Sequence, residues 1–102
     1  MEIIRGTTPT VQFVFKDVEA TQIEVAFLII KQKNMPVIER DISTSNTGEN
    51  YISWTLTQEE TLGLVEGVIA KVVCDWRTFQ GLRGRSELFV ANVESSGKNE
   101  VI

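Results

Sequence analysis

Apolar residues recur at every second position in several stretches of this chain. Val11, Phe13 and Phe15 follow that spacing, and so do the apolar positions of 52–56. Successive side chains of a β-strand point to opposite faces, so a period of two indicates a strand with one buried face. The pattern therefore predicts half-buried strands at both places.

Residues 25–30, Val-Ala-Phe-Leu-Ile-Ile, depart from this alternation because every position is apolar. The approach to the run still alternates, with Ile23 and Val25 on one face and Glu24 on the other. A strand predicted at about 21–33 would therefore carry apolar side chains on both faces. Exposure of either apolar face to water is unfavourable, so both faces are expected to be buried against other elements.

The sequence leaves two possibilities for what buries the second apolar face of this strand. One is a neighbouring subunit, and the other is a helical turn predicted at 58–64 of the same chain. The strand predicted at 68–77 is also apolar on both faces over 68–73. The candidate interface or packing residues on these two strands are Phe27, Leu28, Ile30 and Val73.

Stretches rich in turn-forming residues separate the remaining strands. Asn34-Met35-Pro36 is predicted as a hairpin connection, 43–50 as a polar loop and 78–84 as a flexible hairpin loop. Two further strands are predicted at 37–42 and 85–94.

The segment Thr57-Gln58-Glu59-Glu60 has the spacing of a capping box. The Thr57 hydroxyl can accept from the amide three residues on, while Glu60 reaches back to the amide of Thr57. This predicts a helical turn or two over 58–64, with Leu62 and Val65 as its anchors on the core.

Six or seven short strands with one helical crossover favour an all-β fold. The prediction is an antiparallel β-sandwich of immunoglobulin-like topology, with a small barrel as the main alternative. The sandwich domain is expected to span 1–94, followed by a flexible C-terminal tail at 95–102. Val101 and Ile102 end that tail and are candidate interface residues, because they could add a strand to a neighbour.

Composition narrows the classes of function. The chain has 102 residues, a net charge of −4, one cysteine and no histidine. This charge disfavours nucleic-acid binding, and a single cysteine excludes an intramolecular disulfide. No apolar run approaches the ~20 residues that span a bilayer, so no membrane contact is expected. The N-terminus lacks the order of a signal peptide, so synthesis in the cytoplasm is expected.

Candidate chemistry is sparse. Without histidine the commonest general base and metal ligand is missing, and the carboxylates of 58–66 are interpreted as a solvated helix face. No catalytic, metal or cofactor site is therefore predicted. Cys74 is interpreted as a buried small hydrophobe. Trp76 and Phe79 lie near a strand end and a loop, which makes them candidate stacking residues in an alternative carbohydrate-binding module.

Two stretches resemble a known class of proteins. Ile-Arg-Gly-Thr-Thr-Pro-Thr-Val-Gln-Phe at 4–13 resembles the opening of small structural proteins of phages and prophages of Gram-positive bacteria. Leu-Thr-Gln-Glu-Glu-Thr-Leu at 56–62 is similar to a recurrent stretch of the same proteins. More distantly, the Gly-Thr-Thr turn is similar to the N-terminal β-sandwich of phage upper baseplate proteins.

The resemblance implies a component of the virion or an assembly adaptor rather than a catalyst. It implies other phage structural proteins, or further copies of the chain, as partners. Both motifs also have a folding explanation, since one forms a turn and the other begins a helix. The location expected from the resemblance is the virion, after synthesis in the host cytoplasm.

Overall fold

The alternating segments form strands, and the computed structural model describes them over residues 1–86 and 89–95. The described strands are β1 (Glu2–Ile4), β2 (Thr10–Val14), β3 (Ile23–Gln32), β4 (Met35–Asp41), β5 (Asn46–Thr47), β6 (Tyr51–Thr55), β7 (Ala70–Thr78), β8 (Arg83–Arg85) and β9 (Phe89–Glu94). A five-residue helix, α1 (Gln58–Leu62), lies between β6 and β7. Two 3-10 turns, Ala20–Gln22 and Ile42–Thr44, complete the regular structure.

These strands form two open sheets. The larger sheet has the order β1-β9-β7-β3-β4, with β8 also paired to β7, and the smaller sheet has the order β2-β6-β5. Neighbouring strands are antiparallel except β1 and β9, which are parallel. In immunoglobulin terms β2, β6 and β5 take the places of strands B, E and D, while β3, β7 and β9 take those of C, F and G. The predicted immunoglobulin-like sandwich is confirmed, and the barrel alternative does not apply.

A register shift in β3 decides which face of the apolar run meets the core. The pairing of β3 with β7 shifts between Ile23 and Val25, leaving Glu24 exposed. Ile23 and Ala26 are therefore both buried although three positions separate them. Such a β-bulge changes the face that each later side chain takes.

The inner face of β3 is covered within the same chain. Leu28 and Ile30 are 0% exposed and share one core cluster with Phe13 and Trp54 of the smaller sheet. Leu64, from the segment predicted to be helical, joins the same cluster. The assignment of Leu28 and Ile30 to an interface is thus corrected, because both are core packing residues without exposed surface.

The β3–β4 hairpin turns earlier than predicted. Lys33 and Asn34 have positive φ angles of 52° and 63°, and Gln32 pairs with Met35 across the turn. Two central residues with positive φ are typical of the tight I′ turn, whose twist matches that of paired strands. Met35 and Pro36 therefore belong to β4 rather than to the connection.

The capping box of α1 forms as predicted. The Glu60 amide donates to Thr57 Oγ1 at 3.1 Å, and the Thr57 amide donates to Glu60 Oε1 at 2.9 Å. The predicted anchors differ, because Val65 is exposed while Leu64 is buried. Thr61 is also fully buried, where its hydroxyl donates to the Thr7 carbonyl at 2.8 Å.

The predictions of two loops and of the last strand also change in detail. The predicted loop 78–84 includes the start of β8, and the polar loop 43–50 contains β5. The strand predicted at 85–94 is β9, which begins at Phe89. The predicted tail, with Val101 and Ile102, lies outside the described residues beyond Ser95.

Candidate interaction surface

The outward face of the larger sheet carries an apolar group of side chains. We call Val25, Phe27, Ile29 and Val73 the outer patch. Ile29 and Val73 are directly opposite each other in the pairing of β3 with β7. Phe27, two positions before Ile29, is 46% exposed, whereas Val73 is only 5% exposed because neighbouring side chains surround it. The outer patch is therefore a packed apolar surface with an accessible aromatic ring.

Two lysines border the outer patch at one end. Lys31 of β3 lies directly opposite Lys71 of β7. Like charges at opposed positions of a ladder repel each other. Neither lysine forms an ion pair with any residue in the described part of the chain. Val90 is opposite Lys71 on the other side and is half exposed, so this end combines cations with apolar surface.

The other end of the outer patch has compensated charges. Asp75, opposite Phe27, accepts from the Arg85 guanidinium, with the Nη2–Oδ2 distance at 3.0 Å. The hydrogen bond to Asp75, and then its charge, raise the pKa of Arg85. Arg77 forms an ion pair with Glu24 at 2.8 Å. Arg83 of β8, opposite Arg77, forms no ion pair with a described residue, so two of the three arginines at this end are compensated.

Cys74 is buried opposite Leu28 in the core. Burial, and secondarily the charge of Asp75, raise the pKa of the Cys74 thiol to about 12. The thiol is therefore protonated at neutral pH, and only the thiolate is a strong nucleophile. Cys74 acts as a small hydrophobe, as its sequence context predicts.

The two candidate stacking residues do not form a common platform. Trp76 is half-buried and packs edge-to-face on Phe15, with ring centroids 5.7 Å apart. Phe79 is 69% exposed, and no aromatic pair among the described residues joins it to Trp76. A cleft of about 490 Å³ lies beside Trp76, with Leu82 and Arg85 in its wall. The carbohydrate-binding alternative stays a prediction.

Gly84 provides the space that Trp76 occupies. A Cβ atom at Gly84 would overlap the indole ring of Trp76. We expect Gly84→Ala to destabilise the fold by about 1–3 kcal/mol, because overpacking forces side chains out of their preferred rotamers. Urea unfolding followed by tryptophan fluorescence measures the change. Gly63→Ala is the control, since a Cβ atom at Gly63 makes only ordinary contacts and the backbone there is right-handed. Equal stability of the two variants would contradict the close packing of Trp76 against Gly84.

The carboxylates singled out in the sequence are not gathered into one site. Glu60 pairs with Arg40 at 2.7 Å, while Asp75 pairs with Arg85 on the larger sheet. Within the described ranges no group of three histidine, cysteine, aspartate or glutamate residues is placed to hold a metal ion. No described helix has the length and apolar content to cross a bilayer.

Comparisons with protein-family models, curated proteins and solved structures find no match to this chain. The functional interpretation therefore rests on the outer patch and on the two sequence stretches described above. Sequence reasoning identified Phe27 and Val73 but missed Val25, Ile29 and the lysine pair. The run 25–30 is apolar at every position, so no alternation in the sequence separates Val25 and Ile29 from their buried neighbours. The register that brings Lys31 to Lys71 is not visible in the sequence either.

Proposed function

We propose that this protein is a non-enzymatic structural or assembly protein of a phage virion, which docks on another virion protein through the outer patch. The observation that supports docking is the apolar outer patch beside the lysine pair. The resemblance of 4–13 and 56–62 to small phage structural proteins supports the class of particle.

The charge of the outer patch suggests the chemistry of its partner. A complementary surface would place apolar side chains over Phe27 and Ile29, and carboxylates over Lys31 and Lys71. Burial of the exposed Phe27 ring then supplies a hydrophobic anchor, and aromatic anchors near the centre of an interface commonly dominate its binding energy. Carboxylates opposite the lysines would relieve the repulsion between the two cations. Glu39 and Asp41 of β4 lie opposite Ile29 and Phe27, so the same partner would place cations along the β4 side of the patch.

Incorporation into particles tests this proposal. The tagged protein is expressed in the host cell in which the phage assembles. Phage particles are purified from this cell, and the amount of tag per particle is measured. We expect Phe27→Glu to lower incorporation at least about tenfold, since loss of an aromatic anchor costs more than the 1.4 kcal/mol of a tenfold change. Lys31→Glu combined with Lys71→Glu should act in the same direction.

Phe79→Glu is the matched control, because it also replaces an exposed aromatic ring by a carboxylate. It should leave incorporation unchanged. Absence of the protein from purified particles would contradict the virion assignment. Equal incorporation of Phe27→Glu and the unmodified protein would contradict the outer patch as the docking surface.

A further inference from the structure

The open edges of the two sheets differ in how well they are protected against pairing with another strand. In β4, the edge strand of the larger sheet, Pro36 lacks an amide donor, and the register shifts opposite Ile30/Lys31. The Asp41 carbonyl is occupied, since it accepts from the Trp54 indole at 2.8 Å. Proline and bulges at an edge are recognised means of preventing strand addition.

The other short edges offer little to pair with. β1 has three residues, β5 has two, and β8 has three, two of which are arginines. Very short and charged edge strands also resist addition of a further strand.

β2 has none of these protections. It has five residues, Thr-Val-Gln-Phe-Val, with neither charge nor proline, and it pairs with β6 in one continuous register. The strand order places β2 at the end of the smaller sheet. An uncharged, regular edge of this length is a predicted site of strand pairing.

Two hydrogen bonds identify the main-chain groups that face the open edge of β2. The Phe15 amide donates to the Asn50 carbonyl at 2.7 Å, and the Leu56 amide donates to the Pro9 carbonyl at 2.9 Å. In an antiparallel pair, residues alternate between facing the partner strand and facing away from it. Odd-numbered residues of β2 therefore face β6, and the amides and carbonyls of the even-numbered residues face outward. These even-numbered residues are Thr10, Gln12 and Val14.

The fold has a place for a strand at this edge. In immunoglobulin constant domains, strand A lies in the same sheet beside strand B. β2 takes the place of strand B, and in the described part of the chain no strand lies beside its open edge. The core-facing residues of β2, Val11 and Phe13, are already buried, so an added strand would extend a completed sandwich.

We propose that the open edge of β2 binds β2 of a second copy of this chain, antiparallel and with the two-fold axis at Gln12. Thr10 of each copy then faces Val14 of the other, and the two Gln12 residues face each other. Three facing pairs that each exchange two hydrogen bonds give about six main-chain hydrogen bonds. The two smaller sheets become one continuous sheet across the dimer.

The sequence of β2 is complementary to itself in this arrangement. Val11 of one copy lies opposite Phe13 of the other on the core side, and aromatic–β-branched pairs stabilise adjacent strands. No like charges meet across the axis, because 10–14 carries no charge. In a closed two-fold dimer the outward amides and carbonyls of β2 are hydrogen-bonded to the partner, so no further strand can add at β2.

This dimer uses a different surface from the outer patch. It adds self-association to the proposed function, and the two can fail separately. Phe27→Glu alters only the outer patch, so it should leave the β2 dimer unchanged.

A cysteine at the two-fold axis gives a direct test. We expect Gln12→Cys to form a disulfide-linked dimer under mild oxidation, because facing residues of a hydrogen-bonded pair have Cα atoms about 5.5 Å apart, within the range that disulfides bridge. Cys74 should not compete, since it is buried and protonated. Thr55→Cys, exposed on the adjacent strand β6, is the control and should stay largely uncrosslinked.

Sedimentation equilibrium of the reduced protein gives the second test. One strand pair is a small interface, so we expect a dimer with a dissociation constant of roughly 10 µM to 1 mM. Gln12→Lys should weaken it at least about tenfold by placing two cations at the axis, while Gln12→Thr keeps the dimer. Equal crosslinking of Gln12→Cys and Thr55→Cys would overturn the proposal. A protein that stays monomeric up to ~1 mM would also overturn the proposal. So would a dimer that Phe27→Glu abolishes and Gln12→Lys leaves intact.

Discussion

Leu28→Glu should prevent folding, whereas Phe27→Glu at the preceding position should leave the protein folded. Leu28 is 0% exposed and lies between Arg40 of β4 and Cys74 of β7 in the ladder, with its side chain in the core. Arg40 is already paired with Glu60 at 2.7 Å, so a carboxylate at position 28 would be buried without a free cation. We expect a loss of about 5 kcal/mol or more, which is comparable with the total stability of a small domain.

Phe27 gives the matched comparison because its side chain points to the opposite face of the same strand. It is 46% exposed, so a carboxylate at this position stays hydrated. We expect Phe27→Glu to cost only about 1 kcal/mol, mainly from lost contacts with neighbouring side chains of the outer patch. Both variants introduce one glutamate, and they differ only in whether its carboxylate lies in the core or on the outer face of β3.

Circular dichroism and urea unfolding measure both effects. Leu28→Glu should lack a cooperative transition, and Leu28→Ala should retain one with a stability about 2–5 kcal/mol below that of the unmodified protein. A folded Leu28→Glu together with an unfolded Phe27→Glu would mean that the faces of β3 are assigned the wrong way round.

The local pattern predicts the strands with one buried face, and it does so for a physical reason. Val11 and Phe13 alternate with exposed neighbours in β2, and in β6 the predicted inward residues Ile52 and Trp54 are buried, although Ser53 between them is buried as well. A period of two is a property of a single strand, so no knowledge of its neighbours is needed. The capping box of α1 is likewise local, because both hydrogen bonds join residues three apart.

The faces of β3 could not be predicted in the same way. The bulge between Ile23 and Val25 is set by pairing with β7, about fifty residues further along the chain. The segment Ile23-Glu24-Val25 contains no glycine or proline that would mark it. A shift of one residue exchanges the two faces of a strand. Because 25–30 is apolar at every position, Phe27 and Leu28 are both candidate interface residues until the register is known.

The candidate surface has a similar limit. Lys31 and Lys71 acquire their significance only from the register that places them opposite each other. The open edge of β2 also depends on strand order, which the alternation of Val11 and Phe13 does not determine. Phe27 and Val73 could be predicted as candidates because 25–30 and 68–73 carry apolar residues on both faces, which is visible in the sequence itself.

Gln32 is a buried polar residue whose replacement should have the second large effect. It ends β3 on the core side, where its Nε2 donates to the carbonyls of Val65 and Val68 at 3.0 and 2.9 Å. Its Oε1 accepts from the Val65 amide at 2.9 Å. These three hydrogen bonds hold the segment that connects α1 to β7. We expect Gln32→Leu to destabilise the fold by about 3 kcal/mol, because the Val65 amide and the Val68 carbonyl lose their partner and the Val65 carbonyl keeps only the 3.4 Å hydrogen bond from the Val68 amide.

Gln32→Glu makes the same contacts depend on pH. The introduced carboxylate can accept from the Val65 amide, but it would face the carbonyl oxygens of Val65 and Val68 without a proton to donate. Burial and these oxygens should raise its pKa in the folded state above the ~4.3 of an unfolded glutamate. The destabilisation is therefore smallest below about pH 4, where the protonated acid donates one of the two hydrogen bonds, and it grows as the pH rises through the folded-state pKa.

Urea unfolding of Gln32→Glu and the unmodified protein between pH 4 and 8 measures this difference. Gln80→Glu is the control, because Gln80 is exposed in the turn between β7 and β8, where a carboxylate stays hydrated. Its stability relative to the unmodified protein should change little with pH. A difference for Gln32→Glu that does not vary with pH would show that the side chain at this position does not donate to the two carbonyls. A larger difference at neutral pH than at pH 4 would show that position 32 lies where a charged carboxylate is disfavoured, as its burial and the two facing carbonyls require.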